Sequence, residues 1–218
     1  MLAGQRLKIA VQKSGRLNAS SLNFLKTMGL NWSSQPGQLS LSVENFPLDI
    51  MTVRDDDIPK LVGSGVCDFG ILGKNLVEES ACSQLGLTET LCELDFAYCR
   101  LSIALPDSKP FTSLKDLNGM KIASSYPRSL ESFLEANKIR AESVYLNGTV
   151  EIAPKLGIAD AICDLVSSGN TLRANGLREV LKIYDSQALL VKTRRRQNSM
   201  LASISNTFLE QVGVLSCQ

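Results

Sequence analysis

The sequence predicts an α/β protein of two lobes with a cleft between them. Strand-like and helix-like segments alternate along its 218 residues, a pattern typical of mostly parallel sheets covered by helices. A second alternating set of segments follows the turn at Pro106 and Asp107, and the strand-rich stretch 179–193 indicates that the chain returns to the first set. We therefore assign residues 1–102 and 187–218 to lobe I and residues 103–186 to lobe II.

The elements of lobe I are predicted from apolar runs and from residues typical of helix ends. Asn18 is suited to cap the N-terminus of the first helix, and Gly29 is suited to end it. Asp55, Asp56 and Asp57 precede another helix, where acidic side chains suit the positive end of the helix dipole. The predicted strands are 6–11, 39–44, 48–53 and 66–72, and the predicted helices are 18–28, one that opens at 55–59 and one that starts at 73.

Lobe II shows the same alternation, and an amphipathic helix ends the chain. The predicted strands of lobe II are 121–125, 143–146 and 161–166, and its predicted helices lie near 114, at 129–137, near 150–156 and from about 169. Apolar residues near the end recur at helical spacing and are Leu201, Ile204, Phe208, Val212 and Leu215. We expect this last helix to close lobe I or to form part of a subunit contact.

Composition excludes several kinds of chemistry. The chain has no histidine, which excludes His-based proton transfer, Ser-His and Cys-His catalytic pairs, and His metal sites. Its 23 basic and 22 acidic residues nearly balance, so a bulk basic footprint for nucleic acid is absent. None of the 6 cysteines forms a Cys-x-x-Cys pair, and we expect reduced thiols and no metal site in the protein itself.

No segment indicates a membrane or a secretory route. No apolar run approaches the roughly 20 residues that span a bilayer. The first residues lead directly into a strand-like segment, without the basic and apolar stretches of a signal peptide. We therefore expect a cytoplasmic protein without membrane association.

The strongest local signal for function is the segment 161–172. An apolar strand reaches Asp164, a turn of small polar residues follows, and a helix begins. Free backbone amides at such a place bind anions, and Gly169 lets the backbone approach a phosphate. Asp164 is placed to face the hydroxyls of a sugar, so the layout suits a ribose 5-phosphate. The alternative is an ordinary strand and helix in which Ser168 and Thr171 serve only as caps.

Three further positions carry charge at the ends of predicted elements. Lys13 and Arg16 follow the first strand at its carboxyl end, where ligands of open α/β sheets bind, and the alternative is a solvated basic turn. Arg54 follows the strand 48–53, and the alternative is local pairing with the acids after it, worth about 0–1 kcal/mol. Glu151 opens a helix, which is also a routine stabilising choice.

These segments together resemble the ATP phosphoribosyltransferase family. The match to its signature region consists of Glu151, Gly157, Ala159, Ile162, Asp164, Leu165, Ser168, Gly169, Thr171 and Leu172. Further matching motifs, in the order of the family, are 12–17, 53–59, 68–73, 99–101, 122–127 and 174–177. Several motifs in the same order are far more specific than one phosphate turn, and they span nearly the whole chain to about residue 191.

The resemblance implies both a fold and a reaction. The fold would be similar to the two lobes of type II periplasmic binding proteins, with the active site in the interlobe cleft. In the reaction, N1 of the ATP adenine attacks the anomeric carbon of phosphoribosyl pyrophosphate and pyrophosphate leaves, which is the first step of histidine biosynthesis. Substrate-bound Mg²⁺ is the implied cofactor. The lack of histidine is consistent with this chemistry, because the unprotonated ring nitrogen needs no strong general base.

The resemblance also implies roles for individual residues. Lys13 and Arg54 would act as catalytic residues and, with Arg16, would face the pyrophosphate and the ATP phosphates. Asp164 would contact the ribose hydroxyls, and Glu151 would lie near the ribose or the pyrophosphate. The substrate-binding residues of the turn and helix start would be Ser168, Gly169, Asn170, Thr171 and Leu172.

Some sequence features leave the form of the enzyme open. Ser167 stands where other members carry a second carboxylate, so a carboxylate role cannot be assigned there. Long forms of the family add a C-terminal regulatory domain that senses histidine, whereas short forms work with a separate regulatory subunit resembling a histidyl-tRNA synthetase. This chain has no room for that domain, yet its motifs 12–16 and 54–57 are closer to the long form. We expect a homodimer with ATP and phosphoribosyl pyrophosphate as substrates, either a short form or a long form that ends early.

A competing interpretation is a non-catalytic two-lobed binding module for a small anion. Such a module would keep the lobes and the phosphate turn without the reaction. The basic residues Lys13, Arg16 and Arg54 disfavour it, because a sensor of one small anion does not need all three.

Overall fold

Nine strands and seven α-helices form in the part of the chain that the computed structural model describes, residues 5–35 and 37–213. The strands are β1 Leu7–Gln12, β2 Ser40–Ser42, β3 Leu48–Val53, β4 Phe69–Gly73, β5 Thr88–Pro106, β6 Lys121–Ser124, β7 Glu142–Tyr145, β8 Ala161–Val166 and β9 Leu177–Thr193. The α-helices are α1 Arg16–Thr27, α2 Ile58–Gly63, α3 Lys74–Glu79, α4 Ala81–Gln84, α5 Pro127–Ala136, α6 Asn170–Ala174 and α7 Ser199–Val212. Short 3-10 turns lie at Asp55–Asp57, Leu114–Leu117 and Val150–Ile152.

The chain divides into two units. Unit 1 takes in Met1–Ala97 and Gln187–Gln218, and unit 2 takes in Tyr98–Ser186. The first boundary between the units lies between Ala97 and Tyr98, whereas the sequence predicted it after residue 102. Both positions lie within the continuous strand β5. Strand β9 likewise contributes residues to both units.

Unit 1 is a sheet of strands in the order β2-β3-β1-β4-β9 with helices against it. Strands β3 and β4 both pair with β1 in parallel, whereas β2 and β9 are antiparallel to their neighbours. Its core includes Ile9, Ile50, Phe69 and Phe208, all of which are fully buried. The rings of Phe69 and Phe208 lie 4.9 Å apart, which fastens α7 onto the sheet of this unit.

Unit 2 has the strand order β9-β5-β8-β6-β7 and buries apolar residues on both faces of its sheet. Strands β6, β7 and β8 are parallel, and β5 is antiparallel to β8. Consecutive side chains of a strand point to opposite faces of the sheet. Ile103 and Ala104 of β5 therefore pack into two separate hydrophobic cores. The α/β prediction is confirmed, and parallel strands occur in both units together with antiparallel ones.

The start of α1 differs from the sequence expectation. The helix begins at Arg16 with Gly15 as its N-cap, so the prediction of Asn18 as the cap was wrong. The side-chain amide of Asn18 instead donates to the carbonyl of Gln12 at 2.5 Å, which ties the helix back to the end of β1. Gly15 has a φ of 90°, a left-handed backbone that glycine adopts without a steric cost. Gly29, with a φ of 78°, follows the helix end as predicted.

Other element bounds are narrower than predicted. Strand β4 begins at Phe69 rather than at Val66, whose side chain is 54% exposed. The helix predicted near 150–156 is only the 3-10 turn Val150–Ile152. The last helix is confirmed over Ser199–Val212, whereas Leu215 lies outside the described residues.

Candidate functional site

The carboxyl end of β8 leads into a tight turn at residues 167–169. Gly169 has a φ of 74° and caps α6. A Cβ atom at this position would lie 3.1 Å from Nη1 of Arg173, so a larger residue meets both a strained backbone and a neighbouring guanidinium. The amides of the first turn of a helix have no intrahelical partners, and here they follow a backbone without side-chain bulk. The turn is therefore a candidate for the predicted anion-binding loop.

Asp164 lies on β8 before this turn and is partly buried. The pKa of its carboxyl is raised to about 6, mainly because burial desolvates the charged form and to a smaller extent because of the nearby charge of Glu151. The amide of Leu165 donates to Oδ1 of Asp164 at 2.8 Å and opposes this rise. The structure thus brings Glu151 and Asp164, which are distant in sequence, into electrostatic contact within unit 2.

Two other loops meet the same edge of the unit 2 sheet. The hydroxyl of Ser125, after β6, donates to the carbonyl of Leu146 at 2.7 Å and accepts from the amide of Gly148 at 3.1 Å. Thr149 then adopts a left-handed backbone with a φ of 54°, which is uncommon for a β-branched residue. Directly after this strained residue, the 3-10 turn Val150–Ile152 presents Glu151.

Two arginines to which the sequence assigned no role donate hydrogen bonds to backbone carbonyls of the turn 167–169. Nη2 of Arg173 donates to the carbonyl of Ser168 at 3.1 Å and to Oδ1 of Asn170 at 2.5 Å. Nη1 of Arg100 donates to the carbonyl of Ser167 at 3.1 Å. Spacing on α6 could have suggested Arg173, which lies three residues after Asn170. Arg100 lies in the matching motif 99–101, but its contact with the turn could not be predicted, because its partner carbonyl lies 67 residues away in sequence.

The turn residues predicted to bind substrate occupy different surroundings. Ser168, Gly169 and Thr171 lie on or directly after the turn, with the hydroxyl of Ser168 3.4 Å from the amide of Asn170. The side chain of Asn170 accepts the hydrogen bond from Arg173. Leu172 is buried in the core of unit 2, so only its backbone is available to a ligand.

In unit 1, the structure brings the two predicted basic segments side by side. Strands β1 and β3 are parallel neighbours, and the amide of Lys13 donates to the carbonyl of Val53 at 2.7 Å. The side-chain amide of Gln12 also reaches Oδ2 of Asp55 at 3.3 Å. The turn that carries Lys13 therefore lies beside the turn that carries Arg54.

The basic side chains of this edge are exposed. Within the described ranges, Lys13, Arg16 and Arg54 form no ion pair with a carboxylate. This finding disfavours the alternative in which Arg54 only pairs with the acids that follow it. Among those acids, burial and then the charges of Asp55 and Asp57 raise the pKa of Asp56, while Lys60 and Arg54 lower it.

No resident metal centre is evident in the part of the chain that the structure describes. There, no three Cys, Asp or Glu side chains group in a way that could hold an ion. The five described cysteines form no disulfide. None of the helices in these ranges has the length and apolar character needed to cross a membrane.

Comparison with known proteins gives a family. The family model described as ATP phosphoribosyltransferase (HisG) matches residues 54–212. This range contains Arg54, Glu151, Asp164 and the turn 167–169, whereas Lys13 and Arg16 precede it.

Solved structures show the fold. An ATP phosphoribosyl transferase (HisG:HisZ) complex from Thermotoga maritima superposes with a TM-score of 0.77 at 22% identity, over 97% of this chain and 100% of that chain. A periplasmic VFT2 domain of BvgS from Bordetella pertussis gives a TM-score of 0.59 at 17% identity, over 97% and 92% of the two chains. A putative L-cystine ABC transporter protein from Listeria monocytogenes gives 0.58 at 14% identity, over 96% and 90%. The predicted likeness to type II periplasmic binding proteins is therefore confirmed at the level of the fold.

Proposed function

This chain belongs to the ATP phosphoribosyltransferase family, whose enzymes serve histidine biosynthesis, and we propose that it transfers a phosphoribosyl group to ATP. The bond that forms joins N1 of the adenine ring to the anomeric carbon of phosphoribosyl pyrophosphate. The bond that breaks joins this carbon to the pyrophosphate oxygen, and the leaving group carries away the electron pair. The products are phosphoribosyl-ATP and pyrophosphate.

The observation that carries this proposal is the arrangement around the turn 167–169 of unit 2. Ser167 and Ser168 have their carbonyls held by guanidinium groups, which leaves the neighbouring amides to a ligand. We assign the 5-phosphate of the ribose to these amides and to the hydroxyls of Ser168 and Thr171. Asp164, behind the turn, would accept hydrogen bonds from the ribose hydroxyls. Because its pKa is about 6, this carboxyl is mostly ionised at neutral pH.

In unit 1, the exposed cations suit the phosphates of the substrates. Lys13 and Arg54 lie on adjoining turns, and Arg16 begins α1. None of the three forms an ion pair in the described ranges, so their charge is available to phosphate oxygens. Charge grows on the pyrophosphate as its bond to the ribose breaks. We assign Arg54 to this growing charge, because a donor fixed in advance stabilises a transition state strongly.

Magnesium would enter with the substrate. Mg²⁺ usually keeps several waters and binds one or two carboxylates together with substrate phosphates. Asp164 and Glu151 are a pair of neighbouring carboxylates of that kind, and their mutual repulsion would fall near a cation. When bound, the ion would neutralise charge on the pyrophosphate. The protein side chains would orient the ribose beside it.

Assembly is a further part of the proposal. The solved Thermotoga maritima relative is a complex of HisG with HisZ, and this chain spans the whole length of the matched chain. We propose that this chain forms a homodimer and binds a regulatory subunit resembling a histidyl-tRNA synthetase. The proposed compartment is the cytoplasm.

The decisive test is formation of phosphoribosyl-ATP. The purified chain is mixed with ATP, phosphoribosyl pyrophosphate and Mg²⁺, and product is followed by absorbance and identified by mass. We expect product only when all three are present, with one pyrophosphate released for each phosphoribosyl-ATP. Tight binding of phosphoribosyl pyrophosphate without any product would favour the binding-module interpretation instead.

A further inference from the structure

We propose that Arg100 and Glu179 are positioning residues that set the direction of the backbone amides in the turn 167–169. The inference rests on the proposed function, because it explains how unit 2 would hold the 5-phosphate of phosphoribosyl pyrophosphate. It adds two residues outside the turn to those that determine substrate affinity.

Arg100 and Glu179 form a two-point ion pair between strands β5 and β9. Nε of Arg100 donates to Oε1 of Glu179 at 2.6 Å, and Nη2 of Arg100 contacts Oε2. Ser102, which is fully buried, donates its hydroxyl to the same Oε1 at 2.8 Å. The side chains of the pair are only 32% and 25% exposed. The two-point contact with Glu179, whose Oε1 is also held by Ser102, therefore fixes the guanidinium of Arg100 in one orientation.

The fixed guanidinium also contacts the turn. Nη1 of Arg100 donates to the carbonyl of Ser167 at 3.1 Å. The next carbonyl, that of Ser168, accepts from Arg173 at 3.1 Å. Two consecutive carbonyls of the turn thus accept hydrogen bonds from cations.

The planarity of the peptide group converts these contacts into amide directions. In a trans peptide, the C=O of one residue and the N–H of the next point in opposite directions. Because the Ser167 and Ser168 carbonyls face guanidinium groups, the N–H groups of Ser168 and Gly169 point away from them. Gly169 continues in a left-handed backbone, and successive N–H groups in such turns form concave anion sites. The ion pair would therefore preorganise the amides before the phosphate arrives.

The competing explanation is that the charge of Arg100 attracts the phosphorylated substrate directly. The two explanations predict opposite effects of Glu179→Gln on binding. In the folded protein, the charge of Glu179 offsets the charge of Arg100. Glu179→Gln removes the offsetting charge, so direct attraction would tighten binding of the phosphorylated substrate. Positioning predicts weaker binding, because Arg100 then loses the carboxylate that orients it. Arg100→Lys keeps the charge but loses the planar fork, so positioning predicts little rescue.

The test uses the full chain with phosphoribosyl pyrophosphate and Mg²⁺ as the probe. We compare wild type, Glu179→Gln and Arg100→Lys by steady-state kinetics and by calorimetric binding without ATP. Glu142→Gln is the matched control, because it alters an exposed ion pair with Lys121 elsewhere in unit 2. We expect the KM and Kd for phosphoribosyl pyrophosphate to rise roughly tenfold or more in both variants, since misplacement of a binding group is costly. The KM for ATP and the behaviour of the control should stay near wild type.

Several outcomes would overturn the inference. Unchanged or tighter binding of phosphoribosyl pyrophosphate by Glu179→Gln would do so, as would full retention of affinity by Arg100→Lys. Ser102→Ala removes only one donor to Glu179 and decides the matter if the ion-pair variants do not fold; we expect a smaller loss of the same kind, and no loss would refute positioning. If the wild type binds the probe but makes no phosphoribosyl-ATP, the proposed reaction is wrong, and the calorimetry still tests the inference. If the wild type does not bind it, both proposals are wrong.

Discussion

Arg54 is an exposed cation at the end of β3 that forms no ion pair among the residues the structure describes. A group that meets charge formed only as the bond breaks should affect turnover more than ground-state binding. We expect Arg54→Ala to lower kcat by roughly 10²–10³-fold with a smaller change in the KM for either substrate. Steady-state kinetics check this, with Arg140→Ala as a control at an exposed arginine of unit 2. Near-normal turnover would remove Arg54 from the catalytic set.

Asp164 couples the proposed site to stability. Burial raises its folded pKa to about 6 from 3.8, so the folded state binds the proton more tightly than the unfolded state. Its contribution is favourable below the unfolded pKa and is lost as the pH rises through about 6. Asp164→Asn should therefore raise stability at neutral pH by up to about 3 kcal/mol, with little gain near pH 4, while it weakens ribose binding.

Thermal melts at several pH values test this sign, and Asp160→Asn is the matched control. Hydrogen bonds from Lys109 and from the Lys121 amide lower the pKa of Asp160. Its contribution is therefore present above the unfolded pKa and lost in acid, so Asp160→Asn should destabilise the protein at neutral pH. Destabilisation of both variants at neutral pH would mean that Asp164 gains more from its contacts than it loses by burial.

At the scale of elements, the turn between β8 and α6 depends on backbone shape as well as on side chains. Gly169→Val adds a Cβ 3.1 Å from Arg173 and forces a β-branched residue into a left-handed backbone. Thr171→Ala removes one hydroxyl and leaves the backbone intact. We expect both to raise the KM for phosphoribosyl pyrophosphate, the valine variant more strongly, with the KM for ATP less affected.

Gly119→Val is the matched control for this prediction. Gly119 has a similar φ of 78°, and a Cβ there would meet nothing within 4 Å. The control should lose stability through backbone strain but keep its substrate affinity. Equal effects of Gly119→Val and Gly169→Val on the KM for phosphoribosyl pyrophosphate would show that general strain, not the turn, determines affinity.

Local sequence signals predicted which helices and strands form better than they predicted the residues at which these elements begin and end. The apolar run of β8 and the glycine after it were sufficient to locate the turn, because both act over a few residues. The start of α1 was missed because Asn18 donates back to Gln12 instead of capping the helix. The contacts of Arg100 could not be read from the chain, since Ser167 and Glu179 are 67 and 79 residues away from it.

At the scale of the whole molecule, regulation is the property most in need of a test. The resemblance to ATP phosphoribosyltransferases implies that histidine binds outside the two catalytic lobes when it inhibits these enzymes. We expect the isolated chain to be active or weakly active as a homodimer and insensitive to histidine. Sensitivity should appear on addition of a regulatory subunit and should scale with complex formation. Histidine titrations with and without that subunit check this, and strong inhibition of the chain alone would place a histidine site within these 218 residues.

Because β5 and β9 each contribute residues to both units, unit 2 interrupts unit 1 in the chain. On the ribosome, Tyr98–Ser186 emerges in full before the part of β9 that pairs with β4 and before α7, whose Phe208 completes the first core. Unit 1 therefore remains incomplete, with the apolar strand β4 unpaired on the side of β9, when every residue of the unit 2 core has already been synthesised. Unit 1 is therefore the first unit to be synthesised in part but the second to fold. The nascent chain should be most exposed to proteases and aggregation, and most in need of chaperones, while its last segment is being synthesised.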